Sequence, residues 1–223
     1  RSAGEAGPAR LTSCNTCWTN CETHPTPHSG MSLSYLILYN VSKRGNFGQI
    51  LRTASAMGVS EVAIVGAPKL IVKGDFGSTQ HLKFSHFRSL HDSVAYMRNE
   101  RSAAICGIEI DSRSSPVHRH PFSGSTAFLL GNEGPGLSDA QRELCDHLVY
   151  IPQHGQGTGS LNVNAACAVV LHHFAVWAGL PEAPRDASSF LVTSPPPSRV
   201  PRSGVGLTQM RTELMPDGSS YLD

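Results

Sequence analysis

The sequence predicts an α/β domain in which a mostly parallel sheet is flanked by helices. Short apolar runs alternate with segments of helical periodicity between residues 32 and 179, and that alternation is typical of parallel sheets. The longest helical segment, residues 163–177, is apolar on nearly its whole surface. A helix of this kind is normally buried on more than one side.

The first half of the domain begins with a strand, a helix and a second strand. Residues 32–39 and 61–65 are apolar runs of the kind found in buried strands. Residues 46–57 between them have the spacing of a helix. We expect a further short strand at 69–72, and a loop with a short helix in the polar, glycine-containing segment 74–87.

The second half repeats the alternation and ends on the long helix. Turn-forming residues separate its apolar runs, and a serine stands where a short helix would begin. The predicted elements are a helix at 90–99, a strand at 103–108, a loop at 112–121, a strand at 126–130, a helix from Ser138 to Cys145, a strand at 148–151 and the helix at 163–177.

The two ends of the chain differ in composition from the predicted domain. Residues 1–30 have neither strand nor helix periodicity and predict a disordered N-terminal extension. Residues 181–223 are rich in Pro and Ser and predict a disordered tail. The sequence therefore divides into 1–30, a domain at 31–180, and 181–223.

Charge and apolar content restrict the class of protein. Lys and Arg number 18 against 17 Asp and Glu, a formal net charge of +1, so bulk charge does not indicate a nucleic-acid binder. A local basic patch can still serve such a protein. No apolar run reaches the roughly 18 residues of a membrane span. Cysteines on predicted core elements (106, 145 and 167) indicate reduced, buried thiols and an intracellular protein, in the cytoplasm or an organelle.

A group of cysteines and histidines in the N-terminal extension has spacings compatible with zinc ligation. No ordered element is predicted around it, so we favour scattered side chains and expect no metal site. The group comprises Cys14, Cys17, Cys21, His24 and His28.

Three loops that follow predicted strands are rich in Gly, Asn and charged residues. Taken singly, each has a plain explanation: Asn46 as a helix N-cap, Arg52 as a solvated helix charge, and residues 132–134 as a turn. Ligands of open α/β sheets bind outside the carboxyl ends of strands. The three loops together, the last covering residues 155–164, therefore predict a ligand site.

Two common glycine-loop sites do not fit the last loop. A dinucleotide fingerprint could begin at Gly155 and Gly157, but Ser160 stands where the third glycine belongs. No strand is predicted after the helix that follows. A phosphate-binding P-loop needs a lysine, and the chain has none after Lys83.

The three loops resemble the motifs of the SpoU (TrmH-like) family of RNA ribose 2′-O-methyltransferases, which belong to the SPOUT class. The first is NFGQILRTA at 46–54, the second LLGNEGPGL at 129–137, and the third IP at 151–152 with SLNV at 160–163. The third loop is longer and more glycine-rich than the family pattern. The resemblance covers nearly the whole predicted domain.

The resemblance implies a fold and a cofactor that periodicity does not show. In this family the last strand, loop and helix form a deep C-terminal trefoil knot, an exception to unknotted topology. The knot loops hold S-adenosylmethionine. The residues at the cofactor-binding positions would be Leu130, Gly131, Ile151, Ser160 and Leu161.

The resemblance also implies the reaction, which is methyl transfer from S-adenosylmethionine to a ribose 2′-hydroxyl. Arg52 matches the family's catalytic arginine, which is proposed to act as a base through an RNA phosphate. Arginine has a very high pKa, and a role in orienting the ribose and binding phosphate explains its presence equally well. The other polar site positions are Asn46, Glu133, Ser160 and Asn162.

Two classes of function stay open: an active enzyme, and a non-catalytic knotted module that binds RNA or S-adenosylmethionine. The presence of all the polar motif residues favours the enzyme. Family members form homodimers, and the second apolar face of the helix at 163–177 would suit a partner subunit. Enzymes of tRNA and of rRNA share these motifs, so RNA is the expected partner and its identity stays open.

Overall fold

A computed structural model of the chain describes residues 30–39, 44–66, 78–132 and 135–192. The predicted N-terminal extension and its Cys/His group, the strand at 69–72, Glu133 and the tail after residue 192 lie outside these residues. Within the described ranges, none of the helices has the length and apolarity that a bilayer span requires.

The domain is built on a seven-stranded sheet in which every described pairing is parallel. The strand order is β3-β2-β1-β6-β4-β7-β5. The strands are β1 (Ser34–Tyr39), β2 (Glu61–Val65), β3 (Phe84–Phe87), β4 (Ala104–Ile108), β5 (Ser115–Pro116), β6 (Thr126–Leu130) and β7 (His147–Tyr150).

Helices cover both faces of the sheet, so the predicted α/β class, a parallel sheet flanked by helices, is confirmed. Short 3₁₀ turns also occur at Ser78–His81 and Val117–Arg119. The α-helices are α1 (Arg44–Ala56), α2 (Leu90–Asn99), α3 (Asp139–Glu143) and α4 (Val163–Trp177).

The alternation of side chains along each strand produces two apolar cores. On β6, Phe128 and Leu130 face the core that contains α1 and α4. Ala127 and Leu129 face the opposite core, which contains α2. A sheet covered on both faces needs strands that are apolar on both sides, which is why β1, β2 and β6 were recognisable as continuous apolar runs.

Aromatic rings hold α4 against the sheet. Phe174 on α4 lies 5.6 Å from Phe128 of β6, centroid to centroid, and 5.3 Å from Phe122 in the loop before β6. Phe122 also contacts Trp177 at 5.6 Å. These edge-to-face contacts are the favoured geometry of aromatic pairs, and they fix α4 beside the segment that contains Phe122.

Two strands occupy segments that the sequence predicted as loops. The segment 74–87 ends in β3, which among the described strands pairs with β2 alone and forms one edge of their sheet. All four residues of β3 are half-buried, and its sequence, FSHF, has no apolar alternation. The loop at 112–121 contains β5, a two-residue strand at the opposite edge. The short helix predicted within 74–87 is confirmed by the 3₁₀ turn at Ser78–His81. The two strands were missed because pairing with a distant strand, rather than a local sequence pattern, defines these edges.

A buried carboxylate stabilises the amino end of β2. Glu61 is 2% exposed and accepts hydrogen bonds from Tyr96 at 2.9 Å, from Nε of Arg101 at 2.8 Å and from the Ser85 hydroxyl. Lys83 lies 3.4 Å away. Burial by itself raises the pKa of Glu61, but these hydrogen bonds outweigh it and the pKa is lowered. The charged form is therefore the native one.

Candidate functional site

A pocket of about 360 Å³ opens at the carboxyl ends of β4, β6 and β7. Its walls come from the residues that follow these three strands and from the start of α4. Because the strands are parallel, their carboxyl ends meet at one edge, where ligands of α/β sheets bind. The volume lies in the range of small-molecule sites, roughly 300–1,000 Å³.

All five residues predicted to bind the cofactor line this pocket. Leu130 ends β6 and is buried, whereas Leu161 precedes α4 and is 40% exposed. The structure thus brings together side chains from two motif loops. The residues are Leu130, Gly131, Ile151, Ser160 and Leu161.

The loop after β6 closes tightly on itself at two glycines. Asn132 and Gly136 exchange backbone hydrogen bonds of 3.2 and 3.0 Å. A Cβ atom at Gly131 would lie 2.9 Å from the carbonyl carbon of Gly136, closer than side chains pack against backbone. Gly136 has a φ of +67°, which other residues rarely adopt. Glycine at both positions allows this loop to form a thin wall of the pocket.

The glycine-rich loop before α4 is arranged differently. Gly155, Gly157 and Gly159 are exposed, and a Cβ atom at any of them would meet no described atom within 4 Å. None of the three lines the pocket, although Gln153 and Ser160 on either side of them do. No backbone–backbone hydrogen bond joins residues 153–159 to another described segment.

Hydrogen bonds connect the first motif to the third. Asn162 caps α4 by accepting a 2.9 Å hydrogen bond from the backbone N–H of Asn164. Its Nδ2 donates to Oδ1 of Asn46 at 3.4 Å, and the Thr53 hydroxyl donates to Oδ1 of Asn164 at 2.9 Å. Arg52 is exposed, one residue before Thr53.

The structure places two of the predicted catalytic residues at the pocket and two on α1, outside the pocket lining: Asn46 and Arg52. Ser160 and Asn162 line the pocket, and Asn46 contacts Asn162 from outside the lining. Asn46 is the third residue of α1 rather than its N-cap, so the capping explanation is wrong. Glu133 lies outside the described residues.

Glu109 is a pocket residue that sequence reasoning missed. It directly follows β4, and among the described residues that line the pocket it has the only charged side chain. Oε2 accepts a 2.6 Å hydrogen bond from the backbone N–H of Leu137, and Oε1 accepts one of 3.0 Å from that of Ile110. Its position after a strand, the criterion applied to the other loops, would have identified it.

The described cysteines are not nucleophiles. Burial raises the pKa of Cys167 to about 12. The pKa of Cys145 is also raised to about 12, mainly by burial and in addition by the nearby charge of Asp146. Burial raises the pKa of Cys106 well above its usual value. These thiols are therefore protonated at neutral pH. All three are free, as predicted, and the prediction that they are buried is confirmed for Cys106 and Cys167, whereas Cys145 is half-buried.

The geometry of strand ends, glycine wall and capped helix agrees with one family. The model of the SpoU rRNA Methylase family matches residues 34–172, which is most of the chain. The chain belongs to that family. The predicted resemblance is therefore confirmed over the whole sheet and most of α4.

Relatives and solved structures of SpoU proteins match the same region. A protein of Acinetobacter baylyi named 23S rRNA (guanosine-2′-O-)-methyltransferase RlmB is 30% identical over 142 residues, 61% of this chain and 57% of the relative. The 23S rRNA (guanosine(2553)-2′-O)-methyltransferase RlmP of Bacillus subtilis is 31% identical over 144 residues, 62% and 56%. The chain thus spans a little over half the length of these curated relatives.

Among solved structures, the SpoU methyltransferase AviRb from Streptomyces viridochromogenes, in complex with the cofactor AdoMet (S-adenosylmethionine), is similar in fold. The TM-score is 0.56 and the identity 26%, covering 67% of this chain and 59% of AviRb.

Proposed function

We propose that this domain transfers the methyl group of S-adenosylmethionine to a ribose 2′-hydroxyl of rRNA or tRNA. The observation that carries the proposal is the connection between Asn46 on α1 and Asn162 at the pocket. It brings the motif that contains Arg52 next to the predicted cofactor site. Relatives named as 2′-O-methyltransferases support this reaction. An RNA substrate places the protein inside the cell, in the cytoplasm or an organelle.

The residues of the pocket fit S-adenosylmethionine. The glycine wall at Gly131 and Gly136 lets a ligand approach the backbone, and Leu130 and Ile151 offer apolar contact for a base. Polar groups at Ser160 and Asn162 suit the polar amino-acid part of the ligand. When bound, the cofactor supplies an electrophilic methyl group on a sulfonium.

The protein must activate and orient the attacking hydroxyl. A ribose 2′-hydroxyl is a weak nucleophile, so it needs a proton acceptor or a nearby cation that lowers its pKa. We assign this role to Arg52, acting by phosphate binding and ribose orientation. Asn46, Asn162 and Ser160 position the arginine and the ribose from the pocket side. Glu133 keeps its proposed role as a polar site residue.

Transfer of a labelled methyl group tests the proposal. Purified protein incubated with methyl-labelled S-adenosylmethionine and total RNA should label RNA at 2′-O-methyl nucleotides. Arg52→Ala should abolish transfer and leave cofactor binding unchanged. Arg185→Ala is a matched control, because Arg185 is exposed after α4 and pairs only with Glu182 at 3.1 Å among described carboxylates.

A non-catalytic module that binds RNA or the cofactor is the alternative function. It predicts cofactor binding without any transfer to RNA from cells that lack the protein. Wild-type protein that binds S-adenosylmethionine but never labels such RNA would therefore establish the alternative. Mapping the nucleotides that lose methylation in those cells would identify the substrate.

We also propose that the last strand, the loop after it and α4 form the family's C-terminal trefoil knot by passing through a preceding loop. The chain leaves β7 and lays α4 against α1, while the segment 117–122 packs on α4 through Phe122. This arrangement is what threading α4 behind an earlier loop requires. An experimental density map traced continuously from β4 to α4 would test it, since an unknotted trace would contradict the proposal.

The proposed assembly is a homodimer through the outer face of α4. Ala165 and Val176 on this face are exposed, Val176 at 59%. Sedimentation should give the mass of two chains, and Val176→Lys should shift it toward one chain. A wild-type protein that sediments as a monomer at all concentrations would exclude this dimer.

The proposed domain limits are 31–180 for the methyltransferase unit, with 1–30 and 181–223 as disordered ends. Residues 181–192 are exposed throughout, which supports a boundary near 180. Limited proteolysis should trim both ends and leave a resistant fragment with these limits. Protection of either end would contradict the assignment.

A further inference from the structure

The pocket contains a half-buried carboxylate, that of Glu109, to which the proposed reaction gives no role. Among the lining residues that the structure describes, no other side chain is charged. Ile108 and Ile110 flank Glu109 in the sequence. A charge in such surroundings is kept only where hydrogen bonds compensate for its desolvation.

Four hydrogen bonds hold Glu109 in place. Its backbone N–H donates to the carbonyl of Val149 at 3.0 Å, and its own carbonyl accepts from the Ser114 hydroxyl at 2.8 Å. The side chain accepts from the backbone amides of Leu137 and Ile110. The carboxylate is therefore pre-organised on β4 and on the loop after β6.

Gly136 makes room for this carboxylate. A Cβ atom at position 136 would collide with Oε2 of Glu109 and crowd the rest of the carboxyl group. The left-handed backbone of Gly136 and the position of Glu109 are thus matched.

The carboxylate can accept more hydrogen bonds than the protein supplies. Two oxygens offer about four acceptor sites, and described protein groups fill one on each oxygen. Paired hydroxyl donors suit the remaining sites, and hydrogen bonds to a charged acceptor are the stronger kind. In dinucleotide-binding folds an acidic residue at a strand end binds ribose hydroxyls for this reason.

The surroundings favour a neutral ligand group over a cationic one. Next to Glu109 the lining is apolar, with Ile108 and Leu130, whereas Ser160 and Asn162 offer polar, exposed contacts at the start of α4. An ammonium group is strongly hydrated and suits the polar side. The nucleoside half of the cofactor suits the side of Glu109.

We propose that Glu109 accepts hydrogen bonds from the 2′- and 3′-hydroxyls of the cofactor's ribose and so selects ribonucleosides in this pocket. The inference rests on the proposed function, because it takes S-adenosylmethionine as the ligand. Glu109 is a binding residue in this scheme and takes no part in proton transfer.

Calorimetric titration with a series of ligands tests the inference without measuring activity. The ligands are S-adenosylmethionine, S-adenosylhomocysteine, 5′-methylthioadenosine, which lacks the amino-acid part, and the 2′,3′-dideoxy form of 5′-methylthioadenosine. Wild type should bind the dideoxy form at least about tenfold more weakly than its parent, the effect of one or two charged hydrogen bonds. This comparison needs no variant to fold.

The Glu109→Gln variant should bind the three hydroxyl-bearing ligands with an affinity lower by a similar factor of about ten. It should bind the dideoxy form with the affinity of wild type. Gln keeps one acceptor oxygen for Leu137, so the ligand-free melting temperature should stay close to that of wild type. Gly131→Ala serves as a control: it narrows the pocket and should lower the affinity for every ligand, the dideoxy form included.

The outcomes separate this inference from the proposed function. Weaker binding of S-adenosylmethionine by Glu109→Gln with unchanged binding of 5′-methylthioadenosine would mean that the carboxylate meets the cation, and would overturn the inference. Equal binding of all ligands by variant and wild type would also overturn it, while leaving the cofactor assignment intact. A wild-type protein that binds no S-adenosylmethionine would remove the proposed function and this inference together.

Discussion

Thr53 on α1 donates a 2.9 Å hydrogen bond to Asn164 on α4, across 111 residues of sequence. Asn46, seven residues before Thr53, lies on the same side of α1, because seven residues make two helical turns, and it accepts from Asn162. Two polar contacts therefore fix the start of α4 against α1. Arg52, next to Thr53, is placed relative to the pocket by the same contacts.

Removing the Thr53 hydroxyl should slow methyl transfer without weakening cofactor binding. Thr53→Val preserves the shape of the side chain but leaves Asn164 without this donor, and one such hydrogen bond corresponds to about a tenfold change in rate. We expect kcat to fall by that factor and KM for S-adenosylmethionine to stay unchanged. Thr53→Ser keeps the hydroxyl and should retain most of the activity; equal rates for Val and wild type would contradict the positioning role.

The glycine wall should be far less tolerant of substitution than the glycine-rich loop. Gly131→Ala places a Cβ atom 2.9 Å from the backbone of Gly136, so the loop must open or shift. We expect at least a tenfold loss of affinity for S-adenosylmethionine by titration, equivalent to about 1.4 kcal/mol. Gly155→Ala is the matched control, since no described atom lies within 4 Å of its Cβ position, and its affinity should equal that of wild type.

Those parts of the site that follow recognisable apolar strands could be predicted from the sequence. β1, β6 and β7 were recognisable in this way, and the residues that follow β6 and β7 line the pocket. Glu109 follows β4 equally closely but belongs to no family motif in this chain, so it was missed. Its proposed role depends on its close contact with Gly136, which only the folded chain creates.

Other features could not be predicted because they depend on distant partners. β3 becomes a strand through its pairing with β2, although its own sequence is short and has no apolar alternation. The contacts of Asn46 and Thr53 with α4 likewise join segments more than 100 residues apart. Sequence periodicity reports which side of an element is buried, but it does not report which other element covers that side.

Loss of the buried charge of Glu61 should destabilise the domain. Glu61→Ala leaves Arg101 without its carboxylate partner inside the protein, and breaking a buried ion pair costs about 3–5 kcal/mol. We expect denaturant unfolding to show a loss of this order. Lys83→Ala removes the exposed partner, whose side chain is 48% exposed, and should cost less than about 1 kcal/mol; similar losses for the two variants would contradict this ranking.

Glu61 should also make the domain less stable in acid. Its pKa is lower in the folded chain than in the unfolded chain, so the unfolded state takes up the proton first. The stabilisation is complete above the unfolded pKa, near 4.5, and is lost as the pH falls through the folded value. The difference in unfolding free energy between wild type and Glu61→Gln should therefore shrink as the pH is lowered below 4.5.

A histidine pair predicts a second pH dependence at a higher pH. His120 Nε2 and His173 Nδ1 lie 3.1 Å apart, and a hydrogen bond between them requires that one nitrogen keep its lone pair. Burial lowers the pKa of His173, and the charges of His172 and His118 lower it further. The stabilisation is present above the unfolded pKa, near 6.5, and is lost as the pH falls through the lower folded value.

His173→Gln should flatten this part of the stability profile. Wild type should lose unfolding free energy between pH 7 and pH 5, and the variant should lose less over the same interval. Some slope should remain, because burial also lowers the pKa of His86 and His147. A steeper or identical profile for His173→Gln, measured by thermal unfolding at each pH, would show that His173 is not the group that titrates.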